Sequence, residues 1–399
     1  MKLALAHDWL KTMTGAERVL IELHKIFPDS PIYTLFYDKK FVNQYLPNAD
    51  IRPSFLQKVP AITKVYALLG FLMPSAIEAL DLSGFDKVLS SSIIFPKGLV
   101  LKPSTRHICY CYSPTRRLWD HNISRSSENQ SDFNWPRLFI KHLFRLWDRT
   151  AAARVDQYIA ISKTVQERIK KYYRRDSVVI YPPNSKLNYN LDLDHDDSNP
   201  KANVRRRVAE KEQKIQQDFY AVRRGLNHRD YYHHGYYLIV SRLYKYKNID
   251  IAIESFSRLG YPLVIIGSGP DGRRLKRSAK GFKNIEFLGF VPDEELASYY
   301  SNCRAFIMPQ EEDFGLTAIE AMSHGKPVIA LKIGGATETI IDGQTGIFFD
   351  DPIPEALADA VRRFDESYSK FNPETIKTHA LQFSPENFKA SIMSIIGHN

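Results

Sequence analysis

The second half of the chain alternates short apolar runs with segments whose apolar residues recur at helical spacing. The short runs predict β-strands and the longer segments predict helices. The predicted strands are Tyr236–Ser241, Leu263–Ile266, Ile285–Leu288, Ala305–Met308 and Val328–Leu331, and the predicted helices are Ile249–Leu259, Arg273–Ala279, Asp293–Tyr300 and Leu316–Ser323. Strict alternation with short connections predicts a doubly wound parallel sheet of the α/β class. Ligands of such sheets bind beyond the carboxyl ends of the strands.

The first half has the same character with longer insertions. Its predicted strands are Lys2–His7, Pro31–Phe36, Lys87–Ser90, His107–Tyr112, Gln157–Ile161 and Val178–Tyr181, and its predicted helices are Ala16–Phe27 and Lys163–Tyr173. A chain of 399 residues is too long for one ordinary core. We therefore predict two Rossmann-like domains, residues 1–183 and residues 235–376.

Residues 184–234 interrupt this pattern with a polar, acidic stretch followed by a basic one. We interpret them as an insertion or linker, either partly helical or flexible. Its basic face suits acidic lipid or nucleic acid, although a solvated surface is the default interpretation. Asp192 and Asp194 imitate a manganese-binding pair, but no apolar strand precedes them. Three histidines of this segment are better explained as linker than as metal ligands: His228, His233 and His234.

The composition of the chain limits the classes of binding partner and the cellular location that we expect, but it does not identify one partner. The formal net charge of +10 favours anionic partners such as a diphosphate, acidic lipid or nucleic acid. Three cysteines give no disulfide framework. The apolar start of the chain stops at His7 and Asp8, unlike a signal peptide, and no apolar run approaches the ~20 residues of a spanning helix. We therefore predict a cytoplasmic protein, at most peripheral on a membrane.

The most specific chemistry lies between Met308 and Ala330. Glu312 stands in a predicted loop and Glu320 on the following predicted helix, eight positions later. Between them, Phe314-Gly315-Leu316-Thr317 opens that helix, whose N–H groups and positive dipole end suit a phosphate. One acid for a sugar, a helix end for phosphate and a second acid for a ribose predict a nucleotide-sugar site. The alternative is an exposed helix with solvated acids.

Cations and glycines follow other predicted strand ends. Arg242 ends the first strand of the second domain and Lys247 follows five residues later, which suits a diphosphate. Gly267 begins a Gly-x-Gly-x-x-Gly match that alone would indicate a dinucleotide site. It follows the second strand of its domain, however, and the acidic residue expected about twenty positions later is not at the end of the predicted strand Ile285–Leu288. In the first domain, Gly15 can bring backbone N–H groups near a phosphate, or Thr14 can simply cap the helix.

Taken together and in order, these motifs resemble the retaining glycosyltransferases of family 4, which have the GT-B fold and a Glu-x7-Glu signature. The resemblance covers nearly the whole chain, including LALAHDWLKTMTGAERVL, HICYCYSPTRRLWD, YYLIVSRLYKYKN and IGGATETIIDGQTGIFF. It is greatest to mannosyltransferase-like enzymes of bacterial surface-polysaccharide biosynthesis. The GT-B fold implies two domains facing across a cleft. It also implies a last helix, about Pro385 to Ile396 within residues 377–399, that crosses back to the first domain.

The resemblance also implies residue roles. Arg242 and Lys247 would neutralise the leaving diphosphate, Glu312 would hold sugar hydroxyls and Glu320 the ribose. Gly267 would let backbone approach the nucleotide, and the turn containing Phe290 would support its base. No metal or other cofactor is implied.

This chain departs from the family at two positions. Thr14 replaces one of two adjacent glycines, and Tyr112 replaces a histidine that contacts the donor sugar. Tyrosine keeps a hydrogen-bonding hydroxyl but is no neutral base near pH 7. Retaining enzymes of this fold can use an oxygen of the leaving phosphate as the proton acceptor. His121 is a spatial substitute at best, and an ordinary loop histidine is the preferred interpretation.

The predicted donor is a nucleotide-diphosphate hexose, with GDP-mannose first and UDP-sugars second, and the predicted acceptor is a glycan or lipid-linked glycan. Alternatives are a sugar-nucleotide epimerase or oxidoreductase, and a non-catalytic glycan- or nucleic-acid-binding relative. Binding of nucleic acid is disfavoured. An acidic membrane surface is a further predicted partner, because residues 55–80 and 139–147 mix large apolar and basic residues. Core packing is the competing interpretation of both segments.

Overall fold

The computed structural model describes residues 2–120, 135–185 and 235–397. The chain divides into two compact units, the first formed by Met1–Ser185 with Pro385–Asn399 and the second by Lys186–Ser384. Within the described residues, no helix combines the length and the apolar character that crossing a membrane requires. The predicted insertion, apart from residues 184 and 185, and His121 lie outside the described residues.

The first unit is built on a parallel sheet of seven described strands. In chain order these are β1 Leu3–His7, β2 Ile32–Thr34, β3 Ile51–Pro53, β4 Lys87–Ser92, β5 Arg106–Cys111, β6 Gln157–Ala160 and β7 Ser177–Val179. Their spatial order is β3-β2-β1-β4-β5-β6-β7. The chain therefore adds β2 and β3 on one side of β1 and then returns to add β4 to β7 on the other side. The residues of β1 and β4 are all buried, as expected for a parallel sheet covered on both faces.

Helices cover this sheet. They are α1 Gly15–Ile26, α2 Lys39–Tyr45, α3 Ile62–Val65, α4 Met73–Glu78, α5 Arg116–Trp119, α6 Trp135–Ala153 and α7 Lys163–Arg168, followed late in the chain by α15 Pro385–Gly397. The last of these buries Phe388, Ile392 and Ile396. Its Phe388 ring meets Tyr110 of β5 edge-on at 5.7 Å, and Lys87 of β4 donates to the Ile396 carbonyl at 2.8 Å.

The second unit has a parallel sheet of six described strands. They are β8 Tyr237–Val240, β9 Leu263–Ile266, β10 Ile285–Gly289, β11 Ala305–Met308, β12 Val328–Leu331 and β13 Gly346–Phe349, in the spatial order β10-β9-β8-β11-β12-β13. Its helices are α8 Ile249–Leu259, α9 Gly272–Ser278, α10 Asp293–Asn302, α11 Leu316–Ser323, α12 Ala336–Thr339, α13 Pro354–Glu366 and α14 Pro373–Ala380. Doubly wound α/β units were predicted for both halves, and this prediction is confirmed.

The C-terminal boundary differs from the predicted one. The returning segment begins at Pro385 and not at residue 377, because α14 belongs to the second unit and packs against α11 there. The reason is local: Asn372 caps α14 by accepting from the Glu374 and Thr375 N–H groups, and Pro373 occupies its first turn. These residues start an eight-residue helix, Pro373–Ala380, that belongs to the second unit.

Residues 55–80 contribute mainly to the core of the first unit. Their buried apolar side chains are Leu56, Ile62, Met73, Ala76, Ile77 and Leu80. Core packing therefore explains most of this segment, although Phe55, Leu68 and Phe71 are exposed.

Candidate functional site

The strand order of the second unit brings its predicted chemistry to one place. β8 and β11 are neighbours, and the chain runs outward from β8 to β9 on one side and from β11 to β12 on the other. The carboxyl ends of two strands at such a switch point form the usual ligand site of an open α/β sheet. Arg242 follows β8, and Glu312 follows β11.

Lys247 and Glu312 form an ion pair at this switch point. Lys247 ends the 3-10 turn Lys245–Lys247, and its side chain is 8% exposed against 21% for Glu312. The Lys247 ammonium donates to Glu312 Oε1, and the Gln310 amide donates to the same oxygen at 2.8 Å. Burial reduces solvent screening, so these charges interact more strongly than a surface pair would. The structure thus joins two of the predicted site residues directly.

The Glu320 carboxylate accepts a hydrogen bond from a buried tyrosine that the sequence analysis missed. The buried Tyr300 hydroxyl of α10 donates to Glu320 Oε2 at 2.8 Å. Burial, together with the charge of Glu320, raises the pKa of Tyr300 well above its usual range. The phenol therefore remains a donor and fixes the orientation of the carboxylate. The signal available in the sequence was only that Tyr300 lies near the end of an amphipathic helix.

The turn from Phe314 to Thr317 begins α11 as predicted. Gly315 has φ +94°, and a Cβ there would lie 3.3 Å from Met308 Sδ. The Ala318 N–H donates to the Gly315 carbonyl at 2.9 Å, which leaves Leu316 and Thr317 in the first turn, where N–H groups have no intrahelical acceptor. Phe314 is buried, with 3% of the residue exposed, and its ring packs edge-on against Phe383 at 5.4 Å. Its side chain thus supports the turn from inside, and its contact with a donor stays a prediction.

Gly334 and Gly335 are site-forming residues that the sequence analysis missed. The Gly335 N–H donates to the Glu312 carbonyl at 2.8 Å. A Cβ on Gly334 would lie 2.5 Å from the Glu312 oxygen, and one on Gly335 would lie 2.4 Å from Phe314 Cα. Two loops therefore pack backbone against backbone, and this contact positions the segment that carries Glu312. The available signal was a glycine pair shortly after a buried strand.

The other predicted donor residues of this unit are two exposed side chains and one closely packed glycine. Arg242 is exposed, with its guanidinium 5.6 Å from the centroid of the Tyr244 ring. Phe290 follows β10 and is 80% exposed. Gly267 has φ +132°, and a Cβ there would lie 1.9 Å from the Ser241 oxygen. Close packing of the loops after β8 and β9 therefore requires this glycine even without a nucleotide, which weakens the dinucleotide interpretation further.

In the first unit, Gly15 begins α1 directly after Thr14. The Thr14 N–H donates to Glu17 Oε2 at 2.9 Å, so the interpretation of this junction as a helix cap is supported. Glu17 also lies 3.5 Å from Nε2 of the buried His7 at the end of β1. Burial opposes ionisation of Glu17, but the neighbouring His7 imidazole and the hydrogen bond from Thr14 lower its pKa overall.

Tyr112 follows β5 and ties that strand end to α1. Its hydroxyl donates to the Ala16 carbonyl at 3.0 Å and lies 2.8 Å from Ser91 Oγ. Burial raises the pKa of Tyr112 well above its usual range. The hydroxyl is thus neutral and engaged within the first unit, and its contact with a donor sugar stays a prediction.

A buried ionic network near these strand ends also escaped the sequence analysis. Lys97 and Asp148 form an ion pair of 2.9 Å, with both side chains almost fully buried. Asp148 also accepts from Thr115 at 2.6 Å, Trp119 at 2.7 Å and Tyr173 at 2.8 Å. Such complete hydrogen bonding is what makes a buried charge pair tolerable, and it joins α5 and α6.

Metal ligation has no support among the residues that the structure describes, where no group of three or more His, Cys, Asp or Glu side chains is arranged to hold an ion. The acidic and histidine-rich candidates in residues 192–234 lie outside the described residues.

Comparison with known proteins gives the following similarities. Residues 232–377 match the family model of glycosyl transferases group 1. The chain is 33% identical over 133 residues to the D-rhamnosyltransferase WbpZ of Pseudomonas aeruginosa, an alignment that covers 32% of this chain and 35% of WbpZ. It is 29% identical over 133 residues to the O-antigen chain mannosyltransferase C of Escherichia coli, covering 32% of this chain and 36% of that enzyme. These alignments span about a third of each relative.

Solved structures extend the similarity to the whole chain. Anabaena HepE in complex with UDP-glucose has a TM-score of 0.67 and 17% identity, with 100% of both chains covered. WaaG, a glycosyltransferase involved in lipopolysaccharide biosynthesis, has a TM-score of 0.62 and 14% identity, with 99% of this chain and 100% of WaaG covered. Residues 232–377 are therefore similar to the glycosyl transferases group 1 domain, and the chain has the two-unit α/β fold of the GT-B structures to which it is similar.

Proposed function

We propose that this protein is a retaining glycosyltransferase that moves a hexose from a nucleotide-diphosphate sugar to an acceptor hydroxyl. The observation that carries the proposal is the placement of Lys247, Glu312 and the start of α11 around one switch point. A cation and a helix N-terminus suit a diphosphate, and a neighbouring carboxylate suits sugar hydroxyls. The match of this domain to glycosyl transferases group 1 supports the same activity.

In the proposed reaction, the bond between the anomeric carbon and the diphosphate oxygen breaks, and a bond from the acceptor oxygen to that carbon forms on the same face. The acceptor proton passes to an oxygen of the leaving diphosphate, so no protein base is needed. Lys247, Arg242 and the N–H groups of Leu316 and Thr317 stabilise the charge that develops on the leaving group. Glu312 orients the sugar, and Glu320, held by Tyr300, binds the ribose. No metal takes part in this scheme.

GDP-mannose is the first proposed donor and a UDP-sugar the second. Both bases have support among similar proteins: one relative is a GDP-mannose-dependent mannosyltransferase of Mycolicibacterium smegmatis, and HepE was solved with UDP-glucose. The proposed acceptor is a glycan or a lipid-linked glycan.

The test is hydrolysis and transfer of GDP-mannose, UDP-glucose and UDP-N-acetylglucosamine by the native chain and by Lys247→Ala. Lys245→Ala is the matched control, because Lys245 belongs to the same turn and is exposed. We expect Lys247→Ala to lower kcat about 10²–10³-fold, as removal of a preorganised charge partner typically does. The control should retain native turnover. Equal turnover by Lys247→Ala and Lys245→Ala would exclude Lys247 from the mechanism. If the native chain binds none of the three donors, the proposed donor class is rejected.

A further inference from the structure

Two tyrosines occupy the short connection that carries both cations of the proposed diphosphate site. The connection runs from Arg242, which follows β8, to Lys247, and it contains Tyr244 and Tyr246. Both tyrosines are partly exposed. Their rings contact each other, with centroids 5.6 Å apart and planes tilted by 31°. An aromatic pair therefore stands between the two cations along the chain.

Each cation of the site lies against one of these rings. The Arg242 guanidinium carbon is 5.6 Å from the centroid of the Tyr244 ring, and the Lys247 ammonium is 5.2 Å from the centroid of the Tyr246 ring. Both distances fall within the ~6 Å over which the face of an aromatic ring attracts a cation. Contacts connect the four side chains in the order Arg242, Tyr244, Tyr246, Lys247. We call these four side chains the cation–tyrosine array.

The backbone of the array is fixed by hydrogen bonds that do not involve the rings. The N–H of the buried Leu243 donates to the Ser268 carbonyl at 3.0 Å, and the Asp271 N–H donates to the Leu243 carbonyl at 3.0 Å. Within the connection, the Lys247 N–H donates to the Tyr244 carbonyl at 3.0 Å. The tyrosine rings are therefore attached to a turn whose path does not depend on their chemistry.

The charges of the site explain why aromatic rings suit these two positions. Arg242 and Lys247 carry like charges, which repel each other when a single diphosphate must contact both. An additional carboxylate would offset this repulsion, but it would also compete with the diphosphate for the cations. The face of a tyrosine ring attracts a cation through its quadrupole and carries no formal charge. The rings therefore stabilise the cations and leave their positive charge available to a ligand.

We propose that Tyr244 and Tyr246 are positioning residues, which hold Arg242 and Lys247 in place for one diphosphate through the faces of their rings. This inference rests on the proposed function, because it assigns the rings to the diphosphate of the same donor. The rings accordingly contribute more to the binding of a nucleoside diphosphate than to the binding of the corresponding monophosphate. Their hydroxyl groups are dispensable.

Calorimetric titration with GDP, GMP, UDP and UMP tests this inference. The quantity compared is the Kd of the monophosphate divided by the Kd of the diphosphate with the same base. Tyr244→Leu/Tyr246→Leu should lower this ratio about tenfold, because both cations lose their aromatic partner. Tyr244→Phe/Tyr246→Phe keeps both rings and should keep the ratio within about twofold of the native value.

Tyr368→Leu is the matched control. The Tyr368 ring centroid lies 4.1 Å from the Arg304 guanidinium carbon in the same unit. Arg304 precedes β11, whereas Glu312 follows it, so this contact lies at the opposite end of the strand from the site. The control removes a contact of the same kind without changing the array, and its ratio should equal the native one.

A second measurement shows whether the rings act through the cations. Tyr246→Leu should raise the Kd of the diphosphate about fivefold in the native chain. In the Lys247→Ala chain the same change should raise it less than about twofold, because the cation that the ring positions is absent. The same loss in both chains would contradict an action through Lys247.

Three results with the double variants separate this inference from the proposed function. An unchanged ratio in Tyr244→Leu/Tyr246→Leu, while the native chain binds the diphosphate, would overturn the inference and leave the proposed function standing. So would an equal loss of monophosphate and diphosphate binding, which indicates a structural role, or equal losses in the leucine and phenylalanine variants, which assigns the effect to the hydroxyl groups. Failure of the native chain to bind either diphosphate would reject the proposed donor class, and this inference with it.

Discussion

The ion pair of Lys247 and Glu312 allows a quantitative test of the site by a double-mutant cycle on stability. Removing one partner of a buried pair typically costs 3–5 kcal/mol, because the other charge is left uncompensated. Glu312→Gln leaves the 8% exposed Lys247 side chain without its counter-charge. Since Glu312 itself is 21% exposed, we expect a smaller loss of about 2–3 kcal/mol in the free energy of unfolding of the second unit.

Lys247→Met leaves the better solvated partner, which also keeps its hydrogen bond from Gln310. The expected cost is therefore about 1–2 kcal/mol. The double variant Lys247→Met/Glu312→Gln should lose less than the sum of the single losses, with a coupling energy of about 1–2 kcal/mol.

Urea unfolding followed by far-UV ellipticity measures these changes. With an m value of about 2 kcal/mol/M, a loss of 2 kcal/mol moves the midpoint by about 1 M urea. The chain has four tryptophans, at positions 9, 119, 135 and 147, all within the first unit. Tryptophan fluorescence therefore reports the first unit and serves as an internal reference. Lys245→Met, at an exposed position, should change the midpoint little. Single losses that add within about 0.3 kcal/mol would refute the coupling and with it the site geometry.

Three further predictions use the same reasoning. Tyr300→Phe removes a hydrogen bond to the buried Glu320 carboxylate, so it should raise the Kd of the nucleotide about tenfold and reduce discrimination against its 2′-deoxy form. An unchanged ratio of the Kd values for the 2′-deoxy form and the nucleotide itself would contradict the role proposed for Glu320. Gly335→Ala places a Cβ 2.4 Å from Phe314 Cα and should cost about 1–3 kcal/mol in thermal or urea unfolding, whereas Gly84→Ala, with no atom within 4 Å, should cost little. Burial lowers the pKa of His107 to about 4 from its ordinary 6.5, so its contribution to stability is present above pH 6.5 and is lost as pH falls toward 4, by up to about 3 kcal/mol. His107→Gln should flatten this part of the pH dependence of tryptophan-monitored unfolding, and an unaltered slope would contradict it.

Regular periodicity explains which elements could be predicted. Leu263–Ile266 and Leu316–Ser323 were predicted with the bounds that the structure has. Both elements are largely buried, so their apolar residues give a clear pattern in the sequence. β3 was missed, since Ile51–Pro53 is three residues long, ends in proline and is not fully buried. α6 was missed as a complete helix because apolar residues occur on its inner and outer faces, which hides the amphipathic pattern.

The sequence indicated which residues belong to the site, but it did not indicate which of them contact each other. The positions of Lys247 and Glu312 after strands indicated a common edge of the sheet, but sequence spacing does not reveal that they contact each other. The buried role of Phe314 was equally hidden, because its partner Phe383 is far along the chain. Contacts of this kind depend on how elements pack, and local patterns carry no information about them.

The return of α15 to the first unit affects the order in which the chain can fold during synthesis. The first unit emerges from the ribosome early, yet Tyr110 receives its neighbour Phe388 only after residues 186–384 have been translated. Until then, the surface that Phe388, Ile392 and Ile396 later cover stays open to water and to chaperones. The strands described for the second unit are all made beforehand, so the part of the protein that is made first is completed last.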